Sequence, residues 1–527
     1  MASSSRAPEP HNLNVALERA LRAEGPYGAG HRDRDTREKI HLQSADQALA
    51  FARSILSRHP SDPLRDLVPR LVLGFGITAR QPPLTEHEAK TIWRMLRRMT
   101  HLEELTLEDP DGLLMLIPTP ELTASPLLLP KLKHLKYCMS FSIDFGHAFF
   151  AGLQRSQLQS VVIRYPKEYD QESDSESSDP FALLAKPCCI ATLETLEVEN
   201  LRYEYFDFSA RVQFPRLGTL LLEFALDNVS PRMAIVGYLL ACIPNLSDLD
   251  IATFEPPVAW SPHQQPSIRD IRAANVHAQL NARNSWRLDR VSATLLDFWL
   301  LGLRFPVHTI DIRQVDLLTA ERMANLMHDL FNETMPRTLY VGFRQTQLSP
   351  TQAIMLFLGH LRAYWIASPH GSVPKTFELS LCVAEVLNLG TLMASAFALL
   401  YESIRLESYS LHVHFACKNR HNDPFLNLGY QVAAMTTTGL PEEESDDSDD
   451  SGPARRNITQ CGESRHFFMQ MPQYMRDFEV AIGAAYHRGL RISIRISSYC
   501  DKGRLLLSQF PTSDDRVRRW LRNTARA

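Results

Sequence analysis

The chain has 527 residues, 44% of them hydrophobic, 22% charged and 9% aromatic, which is enough apolar material for a large or an elongated core. Fifty-six basic against sixty acidic residues leave a net charge of −4, too balanced for a protein that coats nucleic acid, and no nucleic-acid partner is expected. No apolar run reaches the roughly 18 residues of a membrane-spanning helix.

The opening "MASSSRAPEPHN" has no apolar h-region. This reading predicts a cytoplasmic or nuclear chain without a membrane partner. The eight cysteines (Cys138, Cys188, Cys189, Cys242, Cys382, Cys417, Cys461 and Cys500) include no C-x-x-C pair, so they read as reduced, mostly buried thiols.

Residues 1–62 are set apart as an N-terminal segment, helical or partly disordered. Within 11–60 lie two amphipathic patterns, "NLNVALERALRAEG" and "SADQALAFARSILSRH", joined by a Gly- and Arg/Asp-rich link. From residue 63 onward the chain alternates helix-like and strand-like patterns. "TEHEAKTIWRMLRRM" opens with Thr85 and Glu88 at capping-box spacing, and Ile92, Met95, Leu96 and Met99 follow at helical intervals.

In the same stretch a unit of apolar-x-x-apolar-x-apolar recurs. It reads "LEELTL" from Leu102, "LKHLKY" from Leu132, "LQSVVI" from Leu158, "LETLEV" from Leu193, "LGTLLL" from Leu217 and "LSDLDI" from Leu246. The starts are 30, 26, 35, 24 and 29 residues apart. The last two apolar residues of each unit are two apart, so on a strand both point to one buried side, while the first anchors the turn entering it. Three copies share apolar-Pro-x-Leu-x-x-Leu ("LPKLKHL", "FPRLGTL" and "IPNLSDL"), the proline ending the element before.

The 35-residue interval contains the acidic "DQESDSESSD", and without those ten residues it falls among its neighbours. Acidic disordered insertions are therefore expected near 168–180 and near 436–463, where "PEEESDDSDDS" lies; serines among these acids, such as Ser173 and Ser445, suit acid-directed kinases. Without those two tracts the rest of the chain carries a net +8.

Later helix-like stretches precede the short runs "HTIDI", "RTLYV", "FELSLCV" and "SLHVHF", and "LRISIRI" alternates strictly. Such alternation means a doubly wound sheet or a solenoid. The recurrent leucine spacing, the 24–40-residue units and the lack of a glycine-rich nucleotide turn after any strand favour the solenoid.

These units resemble irregular leucine-rich repeats, and from about Leu67 to Ile496 the chain is similar to the fungal F-box/LRR-type proteins. The resemblance implies an α/β, horseshoe-like solenoid with strands on the concave face and helices on the convex face. It also implies a protein-binding role, including that of substrate receptor in a ubiquitin ligase with its adaptor as a partner. Two departures stand out. The asparagine expected after the third leucine is missing: in "LETLEVENL" Leu201 takes its place and Asn200 lies one residue early. The Leu-Pro opening of an F-box is also missing, which leaves residues 11–60 as a degenerate adaptor-binding segment, a solenoid cap or loosely attached helices.

On such a sheet the residues flanking the buried pairs face the hollow. The expected binding positions are Glu104, Thr106, Glu108, His134, Lys136, Arg164, Glu197, Glu199, Glu223, Asp248 and Asp250. Across the eighteen flanking positions of the six units seven acids face two bases, which predicts a negative hollow; Arg491, Ser493 and Arg495 reverse the sign on the last strand.

No catalytic site, metal or cofactor is expected. Walker, G-x-G-x-x-G, G-x-S-x-G, H-E-x-x-H and EF-hand patterns are absent. The histidines of "HVHFACKNRH" alternate with the buried positions Leu411, Val413 and Phe415, as outward strand residues do. The leading reading is a non-enzymatic protein-interaction scaffold. The competing class is an α/β enzyme with an unrecognised site.

Overall fold

The computed structural model describes residues 39–59, 68–74, 84–117, 127–166, 179–224, 235–253, 265–314, 320–343, 350–367, 374–383, 396, 406–416, 491–500 and 503–507, less a few short internal stretches. The helix-like stretch at 12–25, the acidic tract 436–463 and the arginine-rich residues 516–527 lie outside the described residues, as does most of the tract at 168–180.

The chain divides into two units, one of Met1–Glu255 with Ala278–Trp286 and the other of Pro256–His277 with Arg287–Ala527. In the first, the strands are β1 (Lys39–Leu42), β2 (Arg70–Leu73), β3 (Glu104–Glu108), β4 (His134–Cys138), β5 (Ser160–Arg164), β6 (Thr195–Leu201), β7 (Thr219–Phe224) and β8 (Asp248–Thr253). Each pairs in parallel with the next in chain order. In the second, β9 (Arg290–Thr294), β10 (Thr309–Gln314), β11 (Thr338–Phe343), β12 (Thr376–Val383), β13 (Ser408–Ala416) and β14 (Arg491–Cys500) do the same. A hairpin then adds β15 (Gly503–Leu507), antiparallel to β14.

In a doubly wound sheet the strand order reverses at a switch point; within each unit here it does not. Right-handed crossovers that always advance in one direction leave every connecting helix on one face and the other face open.

The leucine unit acts as its spacing predicts. Leu102, Leu132, Leu158, Leu193, Leu217 and Leu246 are buried, as are the pairs Leu105/Leu107, Leu135/Tyr137, Val161/Ile163, Leu196/Val198, Leu220/Leu222 and Leu249/Ile251. The two residues after each anchor have a task that the side-chain pattern does not reveal. Their N–H groups both bond to one carbonyl of the preceding unit. Glu103 and Glu104 donate to Pro69 O at 2.8 and 3.0 Å, Lys133 and His134 to Glu103 O at 2.9 and 3.1 Å, and Gln159 and Ser160 to Lys133 O at 2.8 and 3.0 Å. The series continues through Gln159 O, Glu194 O and Gly218 O. In the second unit His308, Arg337 and Lys375 provide the same shared acceptor.

The prolines of the apolar-Pro-x-Leu frames sit inside four-residue turns. Leu132 N–H closes one on Leu129 O at 3.1 Å and Leu217 N–H another on Phe214 O at 3.2 Å, which puts Pro130 and Pro215 where their fixed φ suits the bend.

Helices complete the buried layer. Glu86–Arg98 starts on the expected capping box, Thr85 Oγ1 accepting from Glu88 N–H at 3.3 Å while Glu88 Oε2 accepts from Thr85 N–H at 2.9 Å. Its Trp93 meets Phe149 edge-on at 6.3 Å. In the second unit the helix Leu295–Leu301 ends on Gly302 at φ 58°, where a side chain would also strike Val276. Trp299 donates to Asp329 at 3.0 Å and Tyr364 to Asn332 at 2.9 Å, tying each helix to the next in sequence.

Two expectations need correction. The boundary at residue 62 does not separate a segment from the sheet, because β1 and the helix Ala45–Ser57 belong to it: Lys39–Leu42 pairs with Arg70–Leu73, and the helix packs beside Glu86–Arg98. A four-residue strand is too short to give a period-2 signal of its own. Second, the acidic insertion does not run to residue 180. Asp179 is fully buried, caps Pro180–Leu183 by accepting from Phe181 N–H at 2.7 Å, and accepts a hydrogen bond from Tyr238 Oη. Asn200, one residue early, nonetheless bonds a turn backbone. It adopts φ 55° at a register slip between Val198 and Leu201, and its Nδ2 donates to Tyr165 O of the preceding unit at 3.1 Å. Of the thiols, Cys138, Cys189 and Cys242 are buried and Cys188 is half-buried, all unbridged.

Asp179 gives a direct test. Asp179→Ala removes a helix cap and the carboxylate that accepts from the buried Tyr238 hydroxyl, and should cost about 2–4 kcal/mol in urea unfolding. Tyr238→Phe, which leaves the cap in place, should cost about 1–2 kcal/mol.

Candidate functional site

Register decides which outward side chains meet, because facing positions on neighbouring parallel strands stand about 4.8 Å apart. Three rows cross the open face of the first unit. The row at the strand starts runs Lys39, Arg70, Glu104, His134, Ser160, Thr195, Thr219, Asp248. The middle row carries Thr106, Lys136, Val162, Glu197, Leu221 and Asp250 on β3 to β8. The third carries Glu108, Cys138, Arg164 and Glu199, and beyond the slip at Asn200 it continues as Glu223 and Ala252. All eleven expected binding residues therefore lie in these rows.

The structure brings five of them together. Glu199 accepts from Arg164 Nε and, at 3.5 Å, from Lys136 Nζ, and it is 7% exposed. Glu223 is equally buried. Glu197 lies beside this pair, and burial with the neighbouring charges of Glu199 and Glu223 pushes its carboxyl up to about 7, against the opposing pull of Lys136. Burial also raises the thiol of Cys138, so it stays protonated beside Arg164. The guanidinium of Arg164 is held charged, its pKa raised by Glu199 against the cost of burial.

The other expected residues stand apart from this cluster. Glu104 pairs with Lys39 at 2.7 Å and with Arg70 at 3.5 Å. Asp248 accepts from Ser247 Oγ at 2.6 Å. Glu108 and His134 are exposed, Asp250 is half-buried, and Thr106 is buried although it occupies an outward position. Within the rows the charges are unevenly divided. Strands β1 to β5 mix both signs. Strands β6 to β8 carry Glu197, Glu199, Glu223, Asp248 and Asp250 with no base in the rows.

Sequence reasoning missed Lys39 and Arg70 because β1 and β2 were not read as units, although Val68, Leu71 and Leu73 repeat the same spacing. In the second unit it named outward residues only on β13 and β14, and missed the contacts they and their neighbours make: Arg290 binds Asp311 at 2.7 Å and His412 Nδ1 stands 3.6 Å from Glu378. Tyr340 lies between those strands in register with Asp311 and Glu378, and burial together with the Glu378 charge raises its hydroxyl pKa. Arg491, Ser493 and Arg495 take the register positions opposite Ser408, Ser410 and His412. Among the described residues no group of three or more His, Cys, Asp or Glu could hold a metal ion. No described helix is long and apolar enough to cross a membrane.

No protein-family model matches the chain, and no curated protein matches it.

The raised carboxyl of Glu197 fixes a pH dependence. In the unfolded chain it ionises near 4.5, in the folded chain near 7, so its contribution to stability is full below pH 4.5 and lost as the pH rises through 7. Glu197→Gln removes that loss. Urea unfolding should show the variant matching the native chain at pH 4 and exceeding it at pH 8 by about 1–2 kcal/mol, allowing for solvent screening.

Proposed function

We propose that the chain is a non-enzymatic interaction scaffold, an irregular leucine-rich-repeat solenoid that recognises another protein through the open strand face. One observation carries this reading. Outward side chains of both signs stand in register across consecutive strands, and ion pairs anchored on the buried Glu199 hold part of that pattern in place. A fixed charge pattern on an extended face selects an oppositely patterned surface and speeds encounter more than it adds affinity. Parallel units stacked in chain order suit a face of this kind.

The resemblance to F-box/LRR-type proteins supports the further reading of a substrate receptor in a ubiquitin ligase, acting in the cytoplasm or nucleus. Since β1 pairs into the sheet and the helix Ala45–Ser57 packs beside Glu86–Arg98, an adaptor-binding segment on the N-terminal side would have to lie before residue 39.

Affinity capture of the tagged full-length chain from its own cells tests both levels. Ser160→Trp and Thr195→Trp fill half-exposed positions at the starts of two neighbouring strands of the face. Each should cut recovery of the specific partner about tenfold, whereas Arg94→Glu with Arg97→Glu on the opposite, helical side should not. Unchanged recovery with both tryptophan variants overturns the face. An adaptor and cullin that disappear on deleting residues 1–38 would establish the ligase role, and a stable partner without a cullin would make the chain a free-standing scaffold.

A further inference from the structure

Away from the open face, two thiols stand side by side. Cys188 and Cys189 fall in the short helix Pro187–Thr192 between β5 and β6, with their sulfurs 3.9 Å apart. Cys189 is fully buried and Cys188 half-buried, so a small reagent in water reaches the first sulfur of the pair and finds the second in contact with it. As a thiol, Cys188 also donates to Leu153 O at 3.0 Å, just past the helix Ile143–Gly152.

The contact divides the labour between the two sulfurs. The hydrogen bond from Cys189 draws the thiol of Cys188 down to about 7 against the cost of burial, and the charge of Lys186 adds to the pull. The same bond and burial push Cys189 up, so it keeps its proton. By contrast, burial pushes Cys242 up to about 11 and also raises Cys138. Oxidation follows thiolate character and access, and a second thiol beside the first can resolve the product.

We propose that Cys188 and Cys189 form a peroxide-sensitive modification site, in which Cys188 is oxidised first and Cys189 closes a disulfide onto it. The Cys188 thiolate attacks one oxygen of hydrogen peroxide. An S–O bond forms, the O–O bond breaks, and the departing hydroxide takes up the proton that Cys188 lost, leaving as water. Cys188 is then a sulfenic acid, oxidised by two electrons. The Cys189 sulfur attacks the Cys188 sulfur, an S–S bond forms and the S–O bond breaks. The hydroxide leaves with the Cys189 proton as a second water.

The sulfurs close from 3.9 Å to about 2.05 Å, and no S–H remains to donate to Leu153 O. That turn runs into the anchor Leu193 and β6, so the tie is lost at the entry of the strand that carries Glu197 and Glu199.

Peptide mass spectrometry of the folded full-length chain tests this, after hydrogen peroxide and then iodoacetamide. The peptide holding Cys188 and Cys189 should return unalkylated and lighter by two hydrogens, without a dimedone adduct. Cys189→Ala should instead leave a Cys188 sulfenic acid that dimedone traps, and Cys188→Ala should leave Cys189 reduced. Without peroxide, the alkylation rate of Cys188 should reach half its plateau near pH 7, and Cys189→Ala should move that midpoint up by at least about one pH unit.

A pair that stays reduced, a sulfenic acid that persists at Cys188 in the native chain, or a native alkylation midpoint at about pH 8.5 or above overturns the proposal. Circular dichroism checks the fold of each variant. The native-chain mapping and midpoint need no variant, so they decide the matter even if Cys189→Ala fails to fold.

Discussion

Everything on the open face depends on one backbone arrangement, the carbonyl just before each strand that accepts two successive N–H groups from the next unit. Pro69, Glu103, Lys133, Gln159, Glu194 and Gly218 all serve in this way, and His308, Arg337 and Lys375 repeat it in the second unit. A carbonyl with both lone pairs used and two N–H groups satisfied meets its hydrogen-bonding demand within the backbone. It also fixes where each strand begins relative to the last. With the starts aligned, outward positions fall into rows without any side-chain instruction, and a glutamate on one strand meets an arginine on another because the backbone has already placed them.

That dependence explains how much of the fold was legible. The six first-half units were readable because burial demands apolar side chains at three fixed positions, and leucine fills most of them. The capping box at Thr85 and Glu88 was readable for a similar reason, since two orphan N–H groups need particular side chains. The shared carbonyl asks nothing of the side chain, so the sequence carries no mark of it. Where the anchor changes, the pattern fades: Pro336 precedes Leu339 and Val341, and Pro374 precedes Phe377 and Leu379, in the same geometry as Leu102 before Leu105 and Leu107.

The site was legible to a similar depth. Alternation placed all eleven outward residues in their rows, because period-2 geometry leaves no choice once the buried pair is known. It could not say which would be buried or paired. Glu199 looks like its neighbour Glu197 in the sequence, but register puts Glu199 opposite Arg164 and within reach of Lys136, while burial and the neighbouring acids raise the carboxyl of Glu197. A bulge of one residue depends on an asparagine accepting φ 55° and finding a carbonyl across the turn, a local event that hydrophobic spacing does not record.

The shared carbonyl also bears on how such a chain can change length over evolutionary time. Each unit brings one acceptor for the unit after it and two donors for the unit before it, so its backbone accounts balance at both borders. A duplicated unit entering between two old ones would find a waiting carbonyl on one side and waiting N–H groups on the other. An excised one would leave its former neighbours able to join. Growth and loss by whole units therefore keep the backbone hydrogen bonds paired, while the loss of part of a unit leaves a donor or an acceptor without its counterpart. Divergence under that rule keeps the strand starts fixed and lets the connecting stretches wander, which is how intervals of 24 and 35 residues come to serve one sheet.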